Sequence, residues 1–266
     1  MIEHTVAWLQ TLTFIQSTFM IPVFLGFMVF LLPYIRTKLG IVISGDTVDG
    51  CAEGFGAVAL FFVFIAATSL STVQGFQKDG AKVVDAEVAQ ITNLDRELVH
   101  AAGAEADKLR VTLKTYVQAI ISDDWPAMAD GGSAASVDRA MGSLMSQVNH
   151  ITAGSGISAA TATALFTRLE AVSDVRSERI EIANVHLSKL YWETMLIFLS
   201  LLLIISFFTH ETIGKRAALC GKMAAIGFTL VLVLQTDGVF NGDISIQPTS
   251  YVKALAKMKI RSADTD

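Results

Sequence analysis

Four stretches of this chain are long and apolar enough that a bilayer is the simplest environment for them. A membrane core takes about 20 mostly apolar residues in one helix. Residues 11–34 and 54–73 meet that length without a single charge, residues 191–208 carry only Glu193 near their start, and residues 217–234 carry only Lys222. Pro22 should bend the first span, which a helical bundle tolerates. Tyr191 and Trp192 open the third at the depth where aromatic rings favour the headgroups. Lys222 lies close enough to the start of the fourth to snorkel to the interface. The first run has no basic segment before it and no small-x-small site after it, so it is expected to be a retained span and not a leader.

Charge is concentrated between the second and third runs. Only 17% of the 266 residues are charged, against about 25% in an average soluble domain. The middle of the chain is nevertheless near normal, which is the composition of a membrane protein with a soluble insert. Within the insert Val84, Val88, Ile91, Leu94 and Leu98 recur at helical spacing, as do Leu109, Leu113, Tyr116 and Ile120. Asp124-Trp125-Pro126 reads as a helix terminus, with Trp125 packed on the domain. A further helix is expected from Ser133 or Ser136. From about Ser158 a helical pattern continues without a breaker into the third span, and the second span likewise has no stop at its end. No segment alternates with period two for long enough to make a sheet.

The expected fold is therefore all-α: a four-span protein with a helical extramembrane domain between spans 2 and 3, whose long helices continue the spans. The divisions are residues 1–73 for spans 1 and 2, 74–190 for the helical domain, 191–235 for spans 3 and 4, and 236–266 for an extended segment and a short helix. Tyr251, Val252, Leu255 and Met258 mark the apolar side of that last helix, expected to lie along the membrane or on a neighbouring subunit.

Arg36 and Lys38 occupy one short loop, Lys215, Arg216 and Lys222 lie in or beside the other, and the first ten residues hold no Lys or Arg. Basic short loops mark the cytoplasm, which puts the termini and the helical domain outside a cell membrane of bacterial type. A formal net charge of −5 offers no footing for nucleic acid. Cys51 and Cys220 stand in no metal or redox spacing. The five histidines form no ligand pair. Gly54-x-Gly56 follows no strand, so a dinucleotide loop is excluded. No nucleophile–base set is evident, so neither an enzyme nor a cofactor is expected.

Several stretches together resemble the bestrophin-like family. They are Gly54-Phe55-Gly56 at the start of the second span, Glu87 on the helix that follows, and Tyr116 with Asp124-Trp125-Pro126. Arg176-x-x-Arg179-Ile180, Tyr191-Trp192, and Asn241-Gly242-Asp243-Ile244 followed by Pro248 complete the set. The resemblance covers about residues 50–257 and rests on order and spacing. It implies a homopentamer, embedded in lipid, whose second span lines a chloride-conducting pore with a hydrophobic neck. It also implies a cytosolic domain, opposite to the loop charges.

On the second span, Ala57, Phe61, Phe64, Thr68 and Thr72 fall within one arc at 100° per residue. Phenylalanines with hydroxyls beyond them suit a pore that narrows by dewetting; small residues and phenylalanines also suit helix packing or lipid. Arg176 and Arg179 continue the apolar stripe of Leu165, Leu169 and Val172 and should point inward. Glu87, Asp123 and Asp124 are their candidate partners in a structural ion-pair network, in which Arg176→Ala should cost several kcal/mol. Glu193 reads as a solvated carboxylate one turn from the interface. Lys78, Lys82 and Lys189 read as headgroup contacts or as a means of gathering anions at a pore mouth. The functional expectation is an oligomeric, anion-conducting channel. Its rival is a non-conducting accessory subunit of a larger membrane complex. A transporter fits less well, for want of an inverted repeat or a mid-membrane charge.

Overall fold

The computed structural model describes residues 14–101, 103–129, 131–153, 158–209, 212–242 and 244–263, and among them no strand occurs. The start of the first apolar run, residues 11–13, and Asp243 of the family-like segment lie outside the described residues. The chain divides into a span unit and a domain unit. The first comprises residues up to Gly75, His186–Asp237 and Gly242–Ile244; the second comprises Phe76–Val185, Gly238–Asn241 and the residues from Ser245 on.

Among the described residues, four helices are long and apolar enough to cross a membrane. They are α1 (Phe14–Lys38), α2 (Gly45–Ala101), α7 (Lys189–Phe207) and α8 (Ile213–Thr236). In the span unit α1 packs along α8 and α7. Gly227 makes the first of these contacts possible: a Cβ there would meet Pro22 Cα and Leu25 Cδ1 at 3.0 Å. Small residues at such crossings replace the hydrophobic drive that lipid does not supply. Phe55, Phe62, Ala66 and Val73 of α2 join Trp192, Met195 and Leu202 of α7 and Met223, Ile226 and Val233 of α8 in one core. Two hydrogen bonds tie polar side chains inside the unit: Gln235 Nε2 donates to Ser17 Oγ (3.1 Å) and Arg36 Nη1 to the Thr209 carbonyl (3.0 Å). Arg36, counted above as a loop charge, is thus a buried donor to the chain just past α7.

The domain unit contains the later part of α2, α3 (Ala104–Ala119), a π-helical turn (Ile120–Asp124), α4 (Trp125–Ala129), α5 (Ala135–Ala153), α6 (Ala159–Ala183) and α9 (Thr249–Ala263). α3 packs on α5, α5 on α6, and α9 on α3. The stripes read from the sequence meet in one core: Val84, Ile91, Leu94 and Leu98 with Leu109, Leu113, Tyr116, Leu165, Leu169 and Val172. Gly80 lets the chain after the fourth span lie against α2, since a Cβ there would come within 2.5 Å of Val239 Cγ1.

Three expectations need correction. α2 does run unbroken from its apolar part into the domain, but α6 and α7 are separate helices. The Asn184 side chain folds back on the Ile180 carbonyl (2.9 Å) and ends α6, the Leu187 N–H is taken by Asp237 Oδ1 (2.6 Å), and helix resumes at Lys189. Neither Gly nor Pro marks the break, so periodicity runs straight over it.

Asp124-Trp125-Pro126 is likewise no terminus. The Trp125 N–H reaches back five residues to the Ile120 carbonyl, and the widened turn admits Pro126 at the start of the next helical turn, where its missing N–H is tolerated. The last helix buries Tyr251, Leu255 and Met258 in the core of its own domain, while Val252 stays about half exposed.

Candidate functional site

The arc on α2 is the first candidate. In the span unit this helix turns Phe55, Phe62, Ala66, Ser69 and Val73 into the core. It leaves Ala57, Phe61, Phe64 and Thr68 uncovered and Thr72 partly so. Phe61 is 60% and Phe64 66% exposed, although both rings belong to the most apolar stretch of the helix. Phe61 stacks on Phe198 of α7 with centroids 6.4 Å apart, which fixes one face of the ring and leaves the other open. Further along, Thr68 Oγ1 donates to the Phe64 carbonyl (2.9 Å) and Thr72 Oγ1 to the Thr68 carbonyl (3.0 Å). Each hydroxyl proton is therefore spent on the backbone, and what the two threonines offer outward is oxygen lone pairs and a methyl group.

The second candidate is closed. Arg179, on the inward stripe of α6, lies fully buried in the domain unit. Its Nε donates to Glu87 Oε2 at 2.6 Å and its Nη2 to Asp124 Oδ2 at 2.7 Å; Nη1 faces Met128 Sδ. Glu87 also accepts from the Tyr116 hydroxyl (3.0 Å) and the Tyr251 hydroxyl (2.7 Å). Asp124 Oδ1 takes the Ala134 N–H (2.8 Å). The guanidinium lies 5.9 Å from the ring centroids of both Trp125 and Tyr251. Trp125 in turn donates its Nε1–H to the Ile246 carbonyl (3.1 Å).

Helices α2, α3, α6 and α9 and the π turn thus converge on one cation with two carboxylates around it. Burial alone disfavours the charged guanidinium, but Glu87, Tyr251 and Asp124 outweigh it and raise its pKa. Burial and the Glu87 charge push both phenols, Tyr116 and Tyr251, well above the usual tyrosine range, so both stay protonated donors. The two carboxylates are spent on the guanidinium, both phenols and the Ala134 N–H, which makes this arrangement a clamp within the domain.

The expected network is only partly gathered. Glu87, Asp124 and Arg179 meet, whereas Asp123 is exposed and accepts from Ser122 and Ser136. Those hydroxyls lower its pKa. The π turn explains the split, because it rotates Asp124 inward and leaves its neighbour outside. Arg176, one turn before Arg179, pairs with the half-exposed Asp138 on α5. Among the other sequence candidates, Glu193 is half-buried and lies 3.8 Å from Lys189, and Lys82 pairs with Asp79 at 2.7 Å.

The model of the bestrophin-like domain matches residues 23–251, the greater part of the chain. The chain belongs to the bestrophin-like family. Its fold is that of a bacterial bestrophin homologue from Klebsiella pneumoniae, with a TM-score of 0.64 at 11% identity over 92% of this chain and 97% of that one. A variant of that homologue with one aspartate replaced by alanine aligns at 0.61 with 13% identity over 91% and 96% of the two chains. A solved membrane protein carrying a proline-to-alanine substitution gives 0.64 at 10% over 93% and 97%. No curated protein sequence matches. This bestrophin-like chain is an integral membrane protein.

The sequence reading missed a second buried ion-pair group in this bestrophin-like domain. Asp95 is fully buried on α2 and accepts from Arg110 Nε (3.3 Å) on α3, with Arg261 Nη1 of α9 at 2.9 Å. It ties the last helix to the domain. A signal was present: Asp95 falls on the same buried stripe as Ile91, Leu94 and Leu98.

Proposed function

We propose that this chain assembles with identical copies, five by the family resemblance, around a pore that conducts small inorganic anions such as chloride and is lined by α2. The observation carrying this reading is the open arc of Ala57, Phe61, Phe64 and Thr68, continued by Thr72, beside the buried face of the same helix. Copies arranged by rotation present one arc each to a shared axis. Phe61 and Phe64 then form a dewetting constriction, and the threonine oxygens and helix dipoles set weak polar contacts beyond it. Flux is passive and needs no organic cofactor.

Replacing Cys51 and Cys220 with Ser, then placing single cysteines at 57, 61, 64 and 68, tests this in liposomes. Charged thiol reagents should block flux at those positions and not at Ile197 on the outer face of α7. Equal indifference at all of them would assign the arc to lipid or to an unlike partner, the accessory-subunit reading. A chain that conducts nothing and is found once per complex with other proteins would carry that rival. Loop charges favour a helical domain outside the cell. Labelling of Ser143→Cys in intact cells by an impermeant reagent supports that side, and labelling only after lysis assigns the cytosol.

A further inference from the structure

Two outward faces of the domain unit carry opposite charge and have no ion-pair partner among the described residues of their own chain. On α6 the residues farthest from the core are Glu170, Asp174, Glu178 and Glu181, all exposed, and no Lys or Arg lies between them on that face. Their spacing of 4, 4 and 3 keeps them in one stripe about 16 Å long. On α9 every charged residue is basic; Lys253, Lys257 and Lys259 are exposed, with Ala256 and the 63% exposed Ile260 among them. The other cations of the two helices are all engaged: Arg168 with Glu97, Arg176 with Asp138, Arg179 with Glu87 and Asp124, and Arg261 with Asp95.

Each stripe is unfavourable alone. Like charges four residues apart repel along a helix. The acids are also placed against the helix dipole, since Glu178 and Glu181 occupy the last turns of α6, where cations are favoured and no basic residue is found in the final turn. An opposing cationic face relieves both penalties. We infer that the α9 face of one copy docks on the α6 face of the next, a head-to-tail contact of two different surfaces of the same chain. Such a contact makes a ring when its rotation closes. The inference rests on the proposed assembly of identical subunits and names the domain surfaces that join them. Ala256 and Ile260 supply the apolar centre of the contact and the lysines its rim.

The test uses the full chain in detergent and measures mass against concentration. Wild type should be oligomeric. Lys253→Glu with Lys257→Glu, and separately Asp174→Lys with Glu178→Lys, should each raise the apparent dissociation constant about tenfold while leaving helicity and melting unchanged. The four substitutions combined should restore it. Zero-length carbodiimide coupling of wild type mixed from ¹⁴N and ¹⁵N chains should join Lys253 or Lys257 to Asp174 or Glu178 across isotopes. A monomeric wild type overturns the assembly itself. Oligomers that ignore both reversals overturn this pairing alone, as do reversals that the fourfold variant fails to rescue. Lysine reversals that abolish binding to anionic vesicles but leave the oligomer unchanged assign the α9 face to lipid instead.

Discussion

The domain unit and the span unit treat their most distinctive side chains in opposite ways. In the domain, Arg179 is surrounded until nothing of it reaches solvent, and Glu87 and Asp124 spend their oxygens on it and on Tyr116, Tyr251 and the Ala134 N–H. In the span unit, Phe61 and Phe64 stand open beside a core that takes Phe55 and Phe62 from the same helix. One chain therefore completes the first arrangement and leaves the second to be completed by lipid or by other copies. A buried charge survives only with its partners at hand, while an apolar face can wait for its partner because a membrane solvates it.

Breaking the closed region should produce the largest effects. Arg179→Ala leaves Glu87 and Asp124 buried without their cation and is expected to cost about 3–5 kcal/mol, measured as loss of the cooperative thermal transition in detergent. Gly80→Ala forces a Cβ into Val239 and Ile246 and should cost about 1–3 kcal/mol; an unchanged melt would mean that the segment after α8 yields freely. Tyr251→Phe removes one donor from the Glu87 carboxylate, for about 1–2 kcal/mol.

Alkaline pH probes the same clamp. Because the folded pKa values of Tyr116 and Tyr251 are raised, the stability they confer is fully present below the unfolded value near 10 and falls as pH rises beyond it. Spectrophotometric titration should show these two phenols ionising only with unfolding, while early ionisation of all the tyrosines would contradict their burial. The smallest effect is expected of Arg176→Ala, about 0–1 kcal/mol, because its partner Asp138 is half in water. Helical spacing alone had led to an expectation of several kcal/mol at that position.

The two arginines also show how far periodicity reads. Both lie on the stripe of Leu165, Leu169 and Val172, and helical spacing places both inward. Burial then depends on what faces each turn, and no local pattern says that α5 offers only an exposed aspartate to Arg176. The spans were legible because length and missing charge are local properties, and so were Glu87 and Asp124 as acids near an inward cation. Asp123 and Asp124 were inseparable because the π turn shifts the register by a fraction of a turn that a 3.6-residue template lacks. Asp95 lies on a readable stripe, but its partners stand on two other helices, Arg110 of α3 only 15 residues on and Arg261 of α9, so no single helical pattern gathers the group. The break at Asn184 was hidden for a different reason: the next turn is anchored by Asp237, some fifty residues on.

The proposal for the open region is tested most directly by ion flux. Purified protein in liposomes, as wild type and with Phe61→Ala or Phe64→Ala, should carry a chloride gradient, with flux raised or selectivity altered in both variants. Silence of all three under halide and cation gradients would contradict a pore along α2 and leave its uncovered arc as a docking face.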